Sequence, residues 1–93
     1  MKVRFFAFLR GPEYASCREA DISGAATERE LGYKLGELYG ERFRKEFFNP
    51  DETAMGDYIF VLVNGRRTEF LQGLDTPLKE TDQVSLFPVV AGG

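Results

Sequence analysis

The sequence predicts an α+β domain, an open mixed sheet packed on one main helix. Three observations carry that expectation: a β-prone opening stretch from Lys2 to Arg10, a capped amphipathic stretch from Glu28 to Tyr39, and two later apolar runs, Tyr58 to Val63 and Gln83 to Pro88, set off by turn-forming residues. An open sheet against a single helix is the economical way to bury both a helical Leu stripe and alternate strand residues. The 93 residues suffice for one hydrophobic core and not two, so residues 1–93 are expected to form a single domain with a flexible diglycine tail.

The opening stretch reads KVRFFAFLR. Val3, Phe5, Ala7 and Leu9 share one face of a strand, and Lys2, Arg4, Phe6 and Phe8 share the other. Gly11-Pro12 breaks it, and a second strand through Cys17 to Ile22 makes an N-terminal hairpin. Thr27 with Glu30 fits a capping box, and Leu31, Leu35 and Leu38 recur at helical spacing, which predicts a helix over Glu28 to Tyr39 ending at Gly40. Gly32, Gly36 and Gly40 fall at a spacing of four on one face, where close packing against a strand accounts for them. Glu41 to Phe48 predicts a short second helical segment with Phe43 and Phe47 inward, and Asn49-Pro50-Asp51-Glu52 leads into a loop reaching Gly56-Asp57.

Tyr58 to Val63 is an apolar strand with Ile59, Val61 and Val63 facing the core. Asn64-Gly65 after it is a strong hairpin signal, and Arg66 to Phe70 makes a short, exposed return arm. Turns at Asp75 to Leu78 and Thr81-Asp82 precede the last strand, Gln83 to Pro88, with Val84 and Leu86 on one face and Ser85 and Phe87 on the other. Pro88 has no amide hydrogen to donate, so pairing is expected to fade there.

Composition excludes several function classes. A net charge of −3 and a pI near 4.9 oppose sequence-independent nucleic-acid binding, which needs surplus Lys and Arg against phosphates. The absence of His removes Ser-His-Asp and Cys-His nucleophile sets and the usual zinc ligands, and the single Cys17 excludes an internal disulfide. The fifteen Asp and Glu residues are dispersed over expected solvent faces and loops. Without an apolar run near roughly 18 residues or a leader-like N-terminus, no membrane partner is expected and the location is taken as cytoplasmic. No cofactor is expected to bind this chain.

The sequence stops at Gly92-Gly93 after an uncharged run, Val84 to Ala91. By composition alone roughly one chain in 200 ends so. The chemical reading is that a carboxylate on two residues without Cβ atoms can thread into a narrow active site. Taken with KVRFFAFLR, the capped helix, IFVLVNG, Pro77-Leu78, Asp82-Gln83-Val84 and FPVVAGG, the chain resembles the sulfur-carrier branch of the ubiquitin-like β-grasp proteins, most closely the small subunit of molybdopterin synthase (MoaD-type). It departs from that pattern in a longer 40–57 segment and in Thr81, where the family often has Gly.

The resemblance implies that Gly93 carries the reacting carboxylate, with Gly92 and Ala91 forming the tail. An adenylating enzyme of the ubiquitin-activating type would activate it with ATP and Mg²⁺, and a sulfur donor would convert it to a thiocarboxylate. A molybdopterin synthase large subunit would then take the sulfur for molybdenum or tungsten cofactor synthesis. Three alternatives stay open: a protein modifier joined to lysines through Gly93, a carrier for another pathway such as thiamine synthesis, and a non-catalytic interaction domain. Strand parity places Phe6, Phe8 and Phe87 on the sheet face away from the core, where grouped aromatics suggest a docking patch, and the adjoining Pro88 is expected to contact the partner with them. Arg66 and Arg67 either meet an acidic partner or keep an edge strand soluble.

Overall fold

The computed structural model describes residues 1–5, 19–57 and 59–88. The elements follow in the order β1 (Lys2–Phe5), β2 (Glu19–Asp21), α1 (Glu28–Tyr39), α2 (Glu41–Phe47), β3 (Ile59–Val63), β4 (Arg66–Arg67) and β5 (Gln83–Pro88), with 3-10 turns at Thr68–Phe70 and Gly73–Asp75. The strands form one sheet in the order β2-β1-β5-β3-β4. β5 runs parallel to β1 and antiparallel to β3, and the hairpins β1–β2 and β3–β4 are antiparallel. The expected mixed sheet on one main helix is therefore present.

Alternation builds the core. Val3, Phe5, Ile59, Val61, Val63, Val84 and Leu86 are buried on the inner face, together with Leu31 and Leu35 of α1. Thr27 caps α1 by accepting from the Glu30 amide at 3.3 Å, and the chain leaves the helix at Gly40 with φ 100°. Asn64 and Gly65 take φ values of 52° and 84°, the pair of positive angles that a two-residue hairpin turn requires.

Four features differ from expectation. Leu38 is 60% exposed, because the buried stripe of α1 runs through Glu28, Leu31, Gly32 and Leu35 and leaves Leu38 on its flank in the last turn. Helix α2 ends at Phe47, and Phe48 takes extended angles (φ −105°, ψ 154°) as its C-cap while staying buried. The return arm after Asn64-Gly65 pairs for two residues only and then coils into a 3-10 turn that buries Thr68. β5 keeps its register through Pro88, which lies opposite Ile59.

The helix glycines face α2 and not a strand. A Cβ on Gly32 would lie 2.4 Å from Phe47 Cε1 and 2.6 Å from Phe48 Cζ, and one on Gly36 would lie 3.3 Å from Arg44 Cβ. The missing side chain thus lets α2 bring Phe43, Phe47 and Phe48 into the core, where they join Phe5 and Tyr39 in a chain of ring contacts 5.0–6.2 Å between centroids.

The Gly32→Ala variant is expected to lose about 1–3 kcal/mol by overpacking, more than the roughly 1 kcal/mol that Ala returns through helix propensity. Gly36→Ala should cost less than Gly32→Ala. Urea unfolding of the two variants beside the parent checks the order.

Candidate functional site

The sheet face opposite the helices carries Phe87, the residue of the expected docking patch whose side chain the structure describes. In the β3–β5 register Phe60 lies opposite Phe87, and their rings stack at 5.2 Å with planes 10° apart. The Arg67 guanidinium sits 4.4 Å above the Phe60 ring and 5.6 Å from that of Phe70, and it pairs with Glu69. Phe70 is 77% exposed. Phe87 is half-buried within this stack, so it is not a freely projecting ring.

Of the residues singled out from sequence, Phe87 and Pro88 end the central strand beside β3, where Pro88 is opposite Ile59. Phe6, Phe8, Ala91, Gly92 and Gly93 lie outside the described residues. Sequence reasoning missed Phe60, Arg67 and Phe70 as members of the face. Phe60 was within reach of it, since its parity is opposite to that of Ile59, Val61 and Val63, and a hairpin at Asn64-Gly65 brings Arg67 across from Leu62. Phe70 depended on a 3-10 turn that no local pattern announces.

The start of β5 is clamped to the hairpin turn. The Asn64 amide donates to the Gln83 carbonyl at 2.8 Å, the Gln83 amide donates to Asn64 Oδ1 at 3.0 Å, and Asn64 Nδ2 donates to Asp82 Oδ1 at 2.9 Å. The Asn64 side chain and the Lys79 amide hold the Asp82 carboxyl below the ordinary aspartate value. This network gives the Asp82-Gln83-Val84 block its physical role: it fixes the register of the strand that leads to the chain's end.

The acidic residues are not all on solvent faces. Glu28, the first residue of α1, is fully buried, and neither of its carboxylate oxygens has a hydrogen-bond partner among the described residues. Burial pushes its pKa from 4.5 up to about 7, and the neighbouring Thr68 hydroxyl opposes the shift only in part. Its backbone amide donates to the Thr76 carbonyl at 3.1 Å, which draws the 68–76 segment over the first turn of α1. The spacing that buries Leu31 and Leu35 also points residue 28 inward, and that was the available signal.

This combination of mixed sheet, spanning helix and β-hairpin order is the ubiquitin-like β-grasp architecture. Compared at the family level, residues 3–93 match the ThiS family, and the chain belongs to that family. It is 32% identical over 82 residues to a protein of Archaeoglobus fulgidus named "Putative sulfur carrier protein", covering 85% of this chain and 91% of that one. Among solved structures it is similar to the small archaeal modifier protein 1 of Methanosarcina acetivorans, with 32% identity, a TM-score of 0.78, and 99% of this chain and 94% of that one covered. It is also similar to a chain in the complex of subunits 1 and 2 of the molybdopterin-converting factor of Helicobacter pylori, with 29% identity, a TM-score of 0.57, and 99% and 96% covered. No helix among the described residues is long and apolar enough to cross a membrane.

Glu28 makes stability depend on pH. Its folded pKa lies above the unfolded one, so the native state holds the proton more tightly; its contribution is full below about pH 4.5, falls as pH rises towards about 7, and is flat above. At about 1.4 kcal/mol per unit, the loss across that window is on the order of 3 kcal/mol. Glu28→Gln is expected to flatten this part of the profile, which denaturant unfolding from pH 4.5 to 8 would measure.

Proposed function

We propose that this chain is a sulfur carrier whose Gly93 carboxylate becomes a thiocarboxylate and donates sulfur in molybdopterin synthesis. The observation that carries the reading is the ThiS-family match, which runs from residue 3 through the diglycine at 93. The name of the Archaeoglobus fulgidus relative supports the carrier role, and the Helicobacter pylori complex supports a protein partner on the molybdopterin route.

A carboxylate is anionic and resonance-stabilised, and so a poor electrophile for sulfur. A partner enzyme would join it to the AMP portion of ATP and release pyrophosphate, with Mg²⁺ neutralising phosphate charge. A sulfur nucleophile then displaces AMP and leaves the sulfur on Gly93. ATP and Mg²⁺ belong to the partner in this scheme, and the chain supplies the reacting carboxylate, with Gly92 and Ala91 as the slender tail. The sheet face bearing Phe60, Arg67 and Phe87, to which strand parity in the sequence also assigns Phe6 and Phe8, would dock the activating enzyme and the synthase large subunit, with Pro88 at the end of the same strand, because desolvated aromatic and Arg side chains often dominate interface energy.

The similarity to an archaeal modifier protein favours a second reading, in which Gly93 is joined by an amide bond to lysines of target proteins. Intact mass spectrometry after incubation with an activating enzyme, ATP and a sulfur donor tests the first. The expected result is a gain equal to the difference between a sulfur and an oxygen atom, absent when Gly93 is deleted. Unchanged mass under conditions that convert a known carrier would sink the carrier reading, and Gly-Gly remnants on lysines of other proteins would establish the second. Phe60→Ala combined with Phe87→Ala is expected to weaken partner binding by at least about tenfold, roughly 1.4 kcal/mol, in a calorimetric titration, with the fold retained.

A further inference from the structure

β3 has a strand neighbour along its whole length on one side only. β5 pairs with Ile59 through Val63, whereas β4 pairs with Leu62 and Val63 alone. Past β4 the chain coils away, and beside Ile59, Phe60 and Val61 there is a cleft of about 520 Å³. Residues 53–57 line one side, and residues between Arg67 and Asp75 line the other.

The first wall is the end of the 40–57 segment, whose length the carrier chemistry does not require. Arg44 holds the Glu52 carboxylate through two hydrogen bonds of 2.6 and 2.9 Å, and Arg29 Nη1 donates to the Glu52 carbonyl at 2.7 Å. Asn49 Oδ1 accepts from the Thr53 and Ala54 amides at 2.9 and 3.2 Å, and the Gly56 amide donates to the Phe47 carbonyl at 2.8 Å. These contacts tie the wall to both helices, so the cleft exists before anything enters it, which lowers the ordering cost of binding.

Its charges are unequal. Arg67 pairs with Glu69, and Arg29 lies 3.9 Å from Asp75. Exposed Asp57, just before β3, has no ion-pair partner among the described residues and leaves the lining one negative charge in excess. We propose that this cleft receives an extended peptide segment of a partner protein, which pairs with the edge of β3 at Ile59 to Val61 and brings a Lys or Arg side chain to Asp57. Strand addition draws affinity from main-chain hydrogen bonds and selectivity from the flanking side chains. A walled edge this short admits one added strand while blocking the open-ended sheet pairing that exposed edges invite. Nothing in the proposal requires sulfur chemistry at Gly93.

The test is an amide-shift titration of the isotope-labelled full chain with short synthetic peptides of alternating Val and Thr, carrying Lys, Gln or Glu at two central positions. Shifts should concentrate at residues 53–57, 59–61 and 67–75, with the Lys peptides binding at least about tenfold more tightly than the Glu peptides. Asp57→Lys should reverse that preference. Ala54→Trp, which fills the cleft from an exposed position, should abolish the shifts and leave the rest of the spectrum in place. The proposal is overturned if all three peptides leave the β3 edge unshifted in the folded protein, or if the shifts fall instead on β1 and β2. It is equally overturned by equal binding of Lys and Glu peptides, or by a concentration-dependent dimer occupying the β3 edge. Thiocarboxylate formation at Gly93 stands or falls separately from each of these results.

Discussion

The placement of β5 between β1 and β3 is the constraint on which the rest of the molecule depends. Both of its edges are hydrogen-bonded, and Val84 and Leu86 are fully buried. Because side chains alternate along a strand, a slip of one residue would exchange Val84 and Leu86 with Ser85 and Phe87. The same alignment therefore sets the core on one face and the Phe60–Phe87 stack on the other. The Asn64 contacts with Asp82 and Gln83 secure that alignment at the strand's first residue.

The second helix is part of the core rather than an appendage. Gly32 gives it room, Phe43 and Phe47 enter the space so created, and Arg44 carries the connection onward to Glu52. The additional length of the 40–57 segment thus has a packing consequence in the domain centre and a shape consequence at its periphery. One small residue in α1 permits both.

Much of this arrangement is legible in the sequence where local chemistry decides the outcome. The bounds of α1 follow from Thr27 and Gly40, the hairpin follows from Asn64-Gly65, and β5 keeps the range its alternation indicates. Legibility fails where a distant segment decides. Glu28 reads locally as an acidic residue suited to the positive end of a helix, a surface role. Its burial comes from the 68–76 segment, brought over it by a backbone hydrogen bond to Thr76. The glycine spacing correctly signals close approach, but which element approaches is a tertiary fact. The candidate site divides in the same way: strand parity finds Phe87, whereas the Arg67 and Phe70 contributions depend on how the chain coils after two residues of β4.

The parallel pairing of β1 with β5 joins Lys2 to Gln83, segments at opposite ends of the described chain. Contacts of such sequence separation form late, because the intervening loop must close before they return any stability. Until β5 enters the sheet β1 has one edge unfilled, and a chain truncated before Gln83 would leave Val3 and Phe5 inadequately covered. The outer sheet face around Phe87 exists only once β5 has entered the sheet, so a single pairing event completes the core and creates the Phe60–Phe87 stack together.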